Sequence, residues 1–368
     1  MRQLAPGVAI AIVLAVLAKI MAEEVAHGAV GLPKIPLSPV MYAVLLGMLW
    51  RNTLGVPAWT TEGLNWAMHR LLRTGIALVG LRLTLSGATA IAATALPVAL
   101  GCLATALIAG TVIARLLHVP KRLGILLAIG TAVCGCTAVV AMSPVIRARH
   151  AETAFAVTCV VLFGCTAMLF YPWVAGHFFA ASPVHAGIFL GTAIHDTSQV
   201  IGSALIYSQQ AGAPDALAAA SVAKLLRNLS IAILIPVAAW LTQREEASAA
   251  GDSAPAERTS IAKLVPFFVL AFIFFILVRT AGDSLFHVGA AAAADGLGRG
   301  APMWQAVMGA GQTASDLFLI CGMTAVGLSV SFTDMWRIGW RPLAAGFAIA
   351  TLVGACSLLL TLSMLHFG

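Results

Sequence analysis

The chain has 368 residues, 60% of them hydrophobic and only 10% charged, with a mean hydropathy of +0.97; a soluble domain carries roughly a quarter charged residues, so this composition cannot clothe a water-soluble surface. The net charge of +7 is spread over short stretches between apolar runs, with no basic stripe interleaved with aromatics, which excludes nucleic acid as the expected partner and points to lipid headgroups instead. Seven cysteines, an odd number lying mostly inside apolar stretches, speak against a disulfide framework and for buried thiols.

A helix crossing the hydrocarbon core needs about 20 mainly apolar residues, and on that rule the sequence predicts an all-α membrane protein of about ten or eleven spans. With apolar segments recurring from end to end, residues 1–368 read as one polytopic membrane domain. The first segment, Pro6 to Ala22, has the look of a signal-peptide core, but Lys19, Glu23 and Glu24 follow without a small-residue cleavage site, so it reads as a retained span. The second, Pro36 to Trp50, is short. The third, Ala67 to Leu85, carries Arg82 near its end, where a long side chain can snorkel to the headgroups. The fourth runs from Ile91 to Leu116.

The fifth segment, Leu123 to Ile146, holds Gly130-Thr131-Ala132-Val133-Cys134-Gly135-Cys136-Thr137, followed by Ser143-Pro144. Gly with a later Pro weakens a helical ladder. A break here would free the amides around Gly135, Cys136 and Thr137 to face a bound anion, because helix N-termini carry partial positive charge. A close-packed small-residue interface is the alternative. Cys134-x-Cys136 is spaced too tightly for zinc, whose cysteine pairs have about two to four intervening residues and a second cluster. No metal or other cofactor is expected.

After Ala154 to Val174 comes the seventh segment, Val184 to Tyr207, with Ile194-His195-Asp196-Thr197-Ser198-Gln199-Val200 at its centre. Five successive polar residues at about 100° each point all round a helix, so no rotation hides them from lipid. Either the helix unwinds there or protein and water surround it. His195 beside Asp196 can exchange a proton near neutral pH, and Gln199 shares a helical face with both. A hydrogen-bonded packing knot is the bland alternative, but groups this costly in lipid mark function by default.

The eighth segment, Leu217 to Leu241, places Lys224 and Arg227 three residues apart on one face. They can line a pocket or snorkel to an interface. Residues 242–260 read as an exposed loop rich in Ala, Ser and charge, and a glycine-rich loop runs from Phe286 to Gly300 on the far side of the ninth segment, Ile261 to Arg279. The tenth segment, Trp304 to Phe332, holds a lone carboxylate, Asp316, which could bind a cation or pair with one of the bases Arg82, Lys224 and Arg227, and its Val326-Gly327-Leu328-Ser329 loosely echoes Val79-Gly80-Leu81-Arg82, as an inverted repeat would. Trp340 to Leu365 is the last. Summed over alternate loops, Lys and Arg slightly favour a cytoplasmic N-terminus, with Arg147 and Arg149 against it.

At these same segments the sequence resembles the YeiH-type family of bacterial inner-membrane proteins, which carries the label of sulfate exporters. Val133-Cys134-Gly135-Cys136-Thr137-Ala138 is similar to the family's Ile-Cys-Gly-Ala-Ser-Ala, and Ile194-His195-Asp196-Thr197-Ser198-Gln199-Val200 to its Val-His-Glu-Val-Ala-Gln-Val. Lys224-Leu225-Leu226-Arg227, with Pro236 beyond it, resembles Lys-Leu-Thr-Arg, and Gly80-Leu81-Arg82-Leu83 resembles Gly-Phe-Arg-Leu. Asp196 for Glu, Cys136 for Ala and Leu226 for Thr are departures. The resemblance implies inverted repeats with crossed broken helices, as in sodium/proton antiporters and bile-acid transporters, in a multi-pass protein of the bacterial inner membrane.

The leading expectation is a secondary transporter, not an enzyme, exporting a small inorganic sulfur oxyanion of the sulfate or sulfite class. Lys224, Arg227, Arg82, Gly135, Cys136, Thr137 and Gln199 would bind the anion, and His195, Asp196 and Asp316 would couple it to an ion. No Walker sequence is present to couple ATP. One alternative is a cation/proton antiporter resting on Asp196 and Asp316. A second is an intramembrane enzyme using Cys134 or Cys136 with His195, for which no H-E-x-x-H or G-x-S-x-G motif speaks. The oligomeric state is open, a homodimer among the options.

Overall fold

The computed structural model describes residues 4–26, 38–230, 233–234, 237, 267–286, 301–331 and 340–367. Loop 242–260, Pro236 and the glycine-rich stretch 287–300 lie outside the described residues. Every regular element described is helical: α1 (Ala5–Ala26), α2 (Pro39–Thr53), α3 (Thr61–Trp66), α4 (Leu72–Val79), α5 (Leu85–Leu116), α6 (Lys121–Ala132), α7 (Cys136–Val145), α8 (His150–Phe178), α9 (Pro183–Ala193), α10 (Thr197–Ala211), α11 (Asp215–Leu229), α12 (Phe267–Leu285), α13 (Ala301–Ser329) and α14 (Trp340–Phe367). A π turn over Ala67–Leu71 precedes α4, and a 3₁₀ turn over Gly80–Arg82 follows it.

Among the described residues, five helices are long and apolar enough to cross a membrane: α1, α5, α8, α12 and α14. The expected ten or eleven spans differ from these for a physical reason. The predicted segments Leu123 to Ile146 and Val184 to Tyr207 are each two short helices in series, α6 with α7 and α9 with α10. Ala67 to Leu85 is likewise divided among the π turn, α4 and the 3₁₀ turn. An apolar run long enough to cross is therefore not always one helix.

The short helices are the inner ones. Every residue from Ala186 to Ala193 in α9, Gln199 to Ser208 in α10 and Ala216 to Leu225 in α11 is buried. The long helices instead present exposed apolar side chains such as Val13, Leu100, Ile108 and Phe274, as lipid-facing surfaces do. α9 meets α11 through small residues: a Cβ at Gly191 would lie 2.6 Å from the Ala220 carbonyl oxygen and 2.8 Å from the Ala223 methyl. That spacing brings the backbone of α9 within reach of the two cations on α11.

Candidate functional site

The two interrupted helices cross at their breaks. Between α6 and α7 the chain turns through Gly135, at φ +66° and ψ −126°, a conformation that a side chain opposes. A Cβ there would also meet Asp196, 3.0 Å from its Cβ and 3.1 Å from its Cα. Between α9 and α10, Ile194 and Asp196 are extended (φ −91° and −92°), and Asp196 caps α10 by accepting from the Ser198 amide at 2.9 Å. Four helix ends thus meet at one crossing, two C-terminal (α6, α9) and two N-terminal (α7, α10).

The C-terminal ends expose carbonyls that no intrahelical amide can satisfy, and α11 supplies the donors. Lys224 Nζ donates to the Val133 carbonyl at 2.8 Å, to that of Ile194 at 3.1 Å and to that of His195. Arg227 donates from Nε and Nη2 to Ala132 at 3.1 and 2.7 Å, from Nη2 also to Thr131, and from Nη1 to Thr192 and, at 3.3 Å, Ile194. Both side chains are fully buried. Cations at the negative end of a helix dipole gain electrostatic energy, and here two of them tie the stumps of two helices together.

The N-terminal ends open on a cavity of about 450 Å³. Cys134, Cys136 and Thr137 line it from the first break, and Asp196, Thr197, Ser198 and Gln199 from the second. The N-cap Gly135 offers no side-chain cap to α7; the Ala138 amide of its first turn lies against the Cys134 thiol, and the Cys136 and Thr137 amides have no intrahelical acceptor. His69 and Arg73, both exposed, line the cavity from the opposite side, with Ser329 and Ser331 from the end of α13. Gln199 is 2% exposed; its Nε2 donates to the Val161 carbonyl at 3.0 Å, and its Oε1 has no hydrogen-bond partner.

Of the residues singled out in the sequence, Cys136, Thr137, Asp196 and Gln199 line the cavity and Gly135 forms the turn beside it. Lys224 and Arg227 do not line it; their donors are engaged with main-chain carbonyls behind the crossing. His195 is buried, its ring nitrogens have no partner, and it too is absent from the cavity wall. Arg82 and Asp316 pair with each other at 2.7 Å, between the 3₁₀ turn and α13, and neither lines the cavity. The sequence reading missed Arg73, His69 and the two serines. The available signal was His69-Arg70-Leu71-Leu72-Arg73 at the head of a span, where cations read as interface anchors. All seven cysteines are free thiols, and among the described residues no three His, Cys, Asp or Glu side chains gather as a metal set.

Long apolar helices wrapped around a buried crossing of interrupted ones define a multi-pass membrane protein. The chain belongs to the family described as conserved hypothetical protein 698, whose sequence profile matches residues 6–346. It is 32% identical over 319 residues to a UPF0324 membrane protein of Ralstonia nicotianae, covering 83% of this chain and 80% of that one. It is 31% identical over 317 residues to a UPF0324 membrane protein of Bordetella bronchiseptica (85% and 89%), and 25% identical over 334 residues to one of Clostridium tetani (88% and 89%). These names say membrane protein and nothing about transport or sulfate.

Proposed function

We propose that the protein is a secondary transporter that binds a small sulfur oxyanion, of the sulfate or sulfite class, at the crossing and exports it in an ion-coupled cycle. The observation that carries this reading is the convergence of two half-helix N-termini on one cavity while their partner C-termini are neutralised behind it. Each N-terminus is equivalent to about half a positive charge; at α10 the Asp196 carboxylate already caps it, so α7 is the end that offers its charge to a ligand without a cation in contact. Arg73 adds a fixed charge toward the mouth, and Thr137 and Ser198 add hydroxyl donors. Lys224 and Arg227, expected from the sequence to hold the anion, become positioning residues that keep the two N-termini aimed. The inverted repeat implied by the family resemblance is part of this proposal, and so is a role free of covalent chemistry.

Asp196 gives the proposal its coupling. An ionised carboxylate beside a bound anion repels it, and a protonated one does not, so anion and proton binding are linked and each favours the other. That assigns coupling to Asp196 alone among His195, Asp196 and Asp316, since it is the one of the three on the cavity wall. The same carboxylate supports a second reading, a cation/proton antiporter. Purified protein in proteoliposomes separates the two: labelled sulfate or sulfite should exchange across the membrane and be driven by an imposed pH gradient. Cation-dependent proton movement with no exchange of either anion would refute the anion reading and install the antiporter.

A further inference from the structure

The cavity is larger than a bare inorganic ion needs. The two helix breaks supply one polar end, and the rest of the lining is mixed: Leu72 and Ile76 of α4, Val157 and Val161 of α8, Phe268 of α12 and Val326 of α13 are apolar, while His69, Arg73, Thr158, Ser329 and Ser331 stand among them. At about 450 Å³ the space equals that of roughly fifteen liquid waters at ~30 Å³ each. A tetrahedral oxyanion fills only a small part of that, and a hydrated one gains nothing from the apolar side chains. Apolar side chains beside convergent polar groups in a cavity of this size have the character of an organic-ligand site.

We infer that the preferred ligand is an organic monoanion of the sulfonate type, its oxyanion head at the N-termini of α7 and α10 and a short hydrocarbon tail of a few carbons against the α4, α8 and α12 walls. This inference rests on the anion-binding reading above and replaces its inorganic ligand with an organic one. The polar end specifies a compact acceptor-rich head, which receives the Cys136 and Thr137 amides of α7 and the hydroxyls of Thr137 and Ser198. The apolar side chains supply affinity in proportion to the tail surface they remove from water.

The test is calorimetric titration of the full chain in nanodiscs with sulfate, methanesulfonate, ethanesulfonate, propanesulfonate and butanesulfonate, and with butanol as the tail without a head. Affinity should rise about three- to fourfold for each added methylene from methyl to butyl, and butanol should not bind measurably. Val157→Thr combined with Val161→Thr keeps side-chain volume while wetting the wall. It should flatten that increment. If sulfate binds at least as tightly as butanesulfonate, the inference is wrong and the inorganic reading stands. An increment that survives the double substitution unchanged also overturns it, because the tail then lies elsewhere. If none of the anions binds, the anion reading itself falls and takes this inference with it.

Discussion

The long uninterrupted helices and the short interrupted ones obey opposite rules. In α1 and α12 the backbone satisfies itself, the side chains are mainly apolar and much of the surface faces outward; α5 does the same except where Pro97 leaves one carbonyl without its intrahelical donor. In α6/α7 and α9/α10 the backbone is left unsatisfied at two breaks, and its groups are put to use, carbonyls on one side by Lys224 and Arg227 and amides on the other by the cavity. Irregular backbone at membrane depth is tolerated where it is enclosed by protein or lines a cavity, and both conditions are met here. A substitution should therefore cost little on the long helices and much at the crossing.

The sharpest way to break that contrast is Arg227→Met. Removing the guanidinium strands the Thr131, Ala132 and Thr192 carbonyls, and a buried acceptor left without a donor costs about 1–3 kcal/mol. We expect a fall in melting temperature in detergent for Arg227→Met and Lys224→Met, larger than for any single lipid-facing change such as Leu100→Met. Arg227→Lys should fall between, because an ammonium cannot span the carbonyls the guanidinium fork reaches. Wild-type melting in both methionine variants would mean that the carbonyls find other donors and that the clamp is not structural.

Paired glycine substitutions probe the same contrast on the main chain. Gly135→Ala meets both a positive φ and Asp196 and should destabilise by about 1–3 kcal/mol. Gly309→Ala, inside α13 with nothing within 4 Å of the new methyl, should be neutral or stabilise by up to about 1 kcal/mol. Equal effects at the two sites, read by thermal melting, would erase the distinction between the regions.

Ligand-side effects are next in size. Asp196→Asn keeps an N-cap acceptor for the Ser198 amide but removes the carboxylate charge beside the bound anion, so anion affinity at a fixed pH should rise, which calorimetric titration reads directly. His195→Gln, off the cavity wall, should leave that affinity unchanged. Arg73→Gln, changing an exposed charge at the mouth, should weaken anion binding about three- to tenfold at low ionic strength and less in salt. Smallest is the labelling of Cys136. In a variant retaining only that cysteine, a membrane-impermeant thiol reagent should react slowly and be retarded by bound anion, while absence of labelling from both sides would remove Cys136 from the cavity.

The same contrast governs what was legible in the sequence. The long helices announce themselves by hydropathy alone, and Ile91 to Leu116 matches α5 within a few residues at its start. The breaks were among the alternatives the sequence offered: Gly135 ahead of Pro144 allowed a break or a close-packed interface, and five consecutive polar residues at 195–199 an unwound helix or enclosure by protein and water. What the one-dimensional pattern cannot hold is direction. Lys224 and Arg227 were seen as a pair, but whether a buried cation faces a ligand or a carbonyl depends on which helix ends lie nearest, and the crossing decides that. Arg82 and Asp316, 234 positions apart, are joined in an ion pair; the sequence allowed Asp316 to pair with one of the three cations and could not say which, for the same reason. Arg73 was passed over because a cation at the head of an apolar run looks like an anchor until the opposite wall is known.

The clamp around Lys224 and Arg227 has one more consequence, for how such a protein changes over time. Its acceptors are main-chain oxygens of residues 131–133 and 192–195, which every amino acid supplies. The clamp itself therefore reads no side chain at those positions, which are constrained by their burial, while on the proposed reading ligand preference lies a few residues further on, in the side chains from Cys136 to Thr137 and from Asp196 to Gln199. A lineage can rewrite the second without loosening the first, and an engineer who wants a different cargo can begin at Cys136 and Thr197 and leave α11 alone.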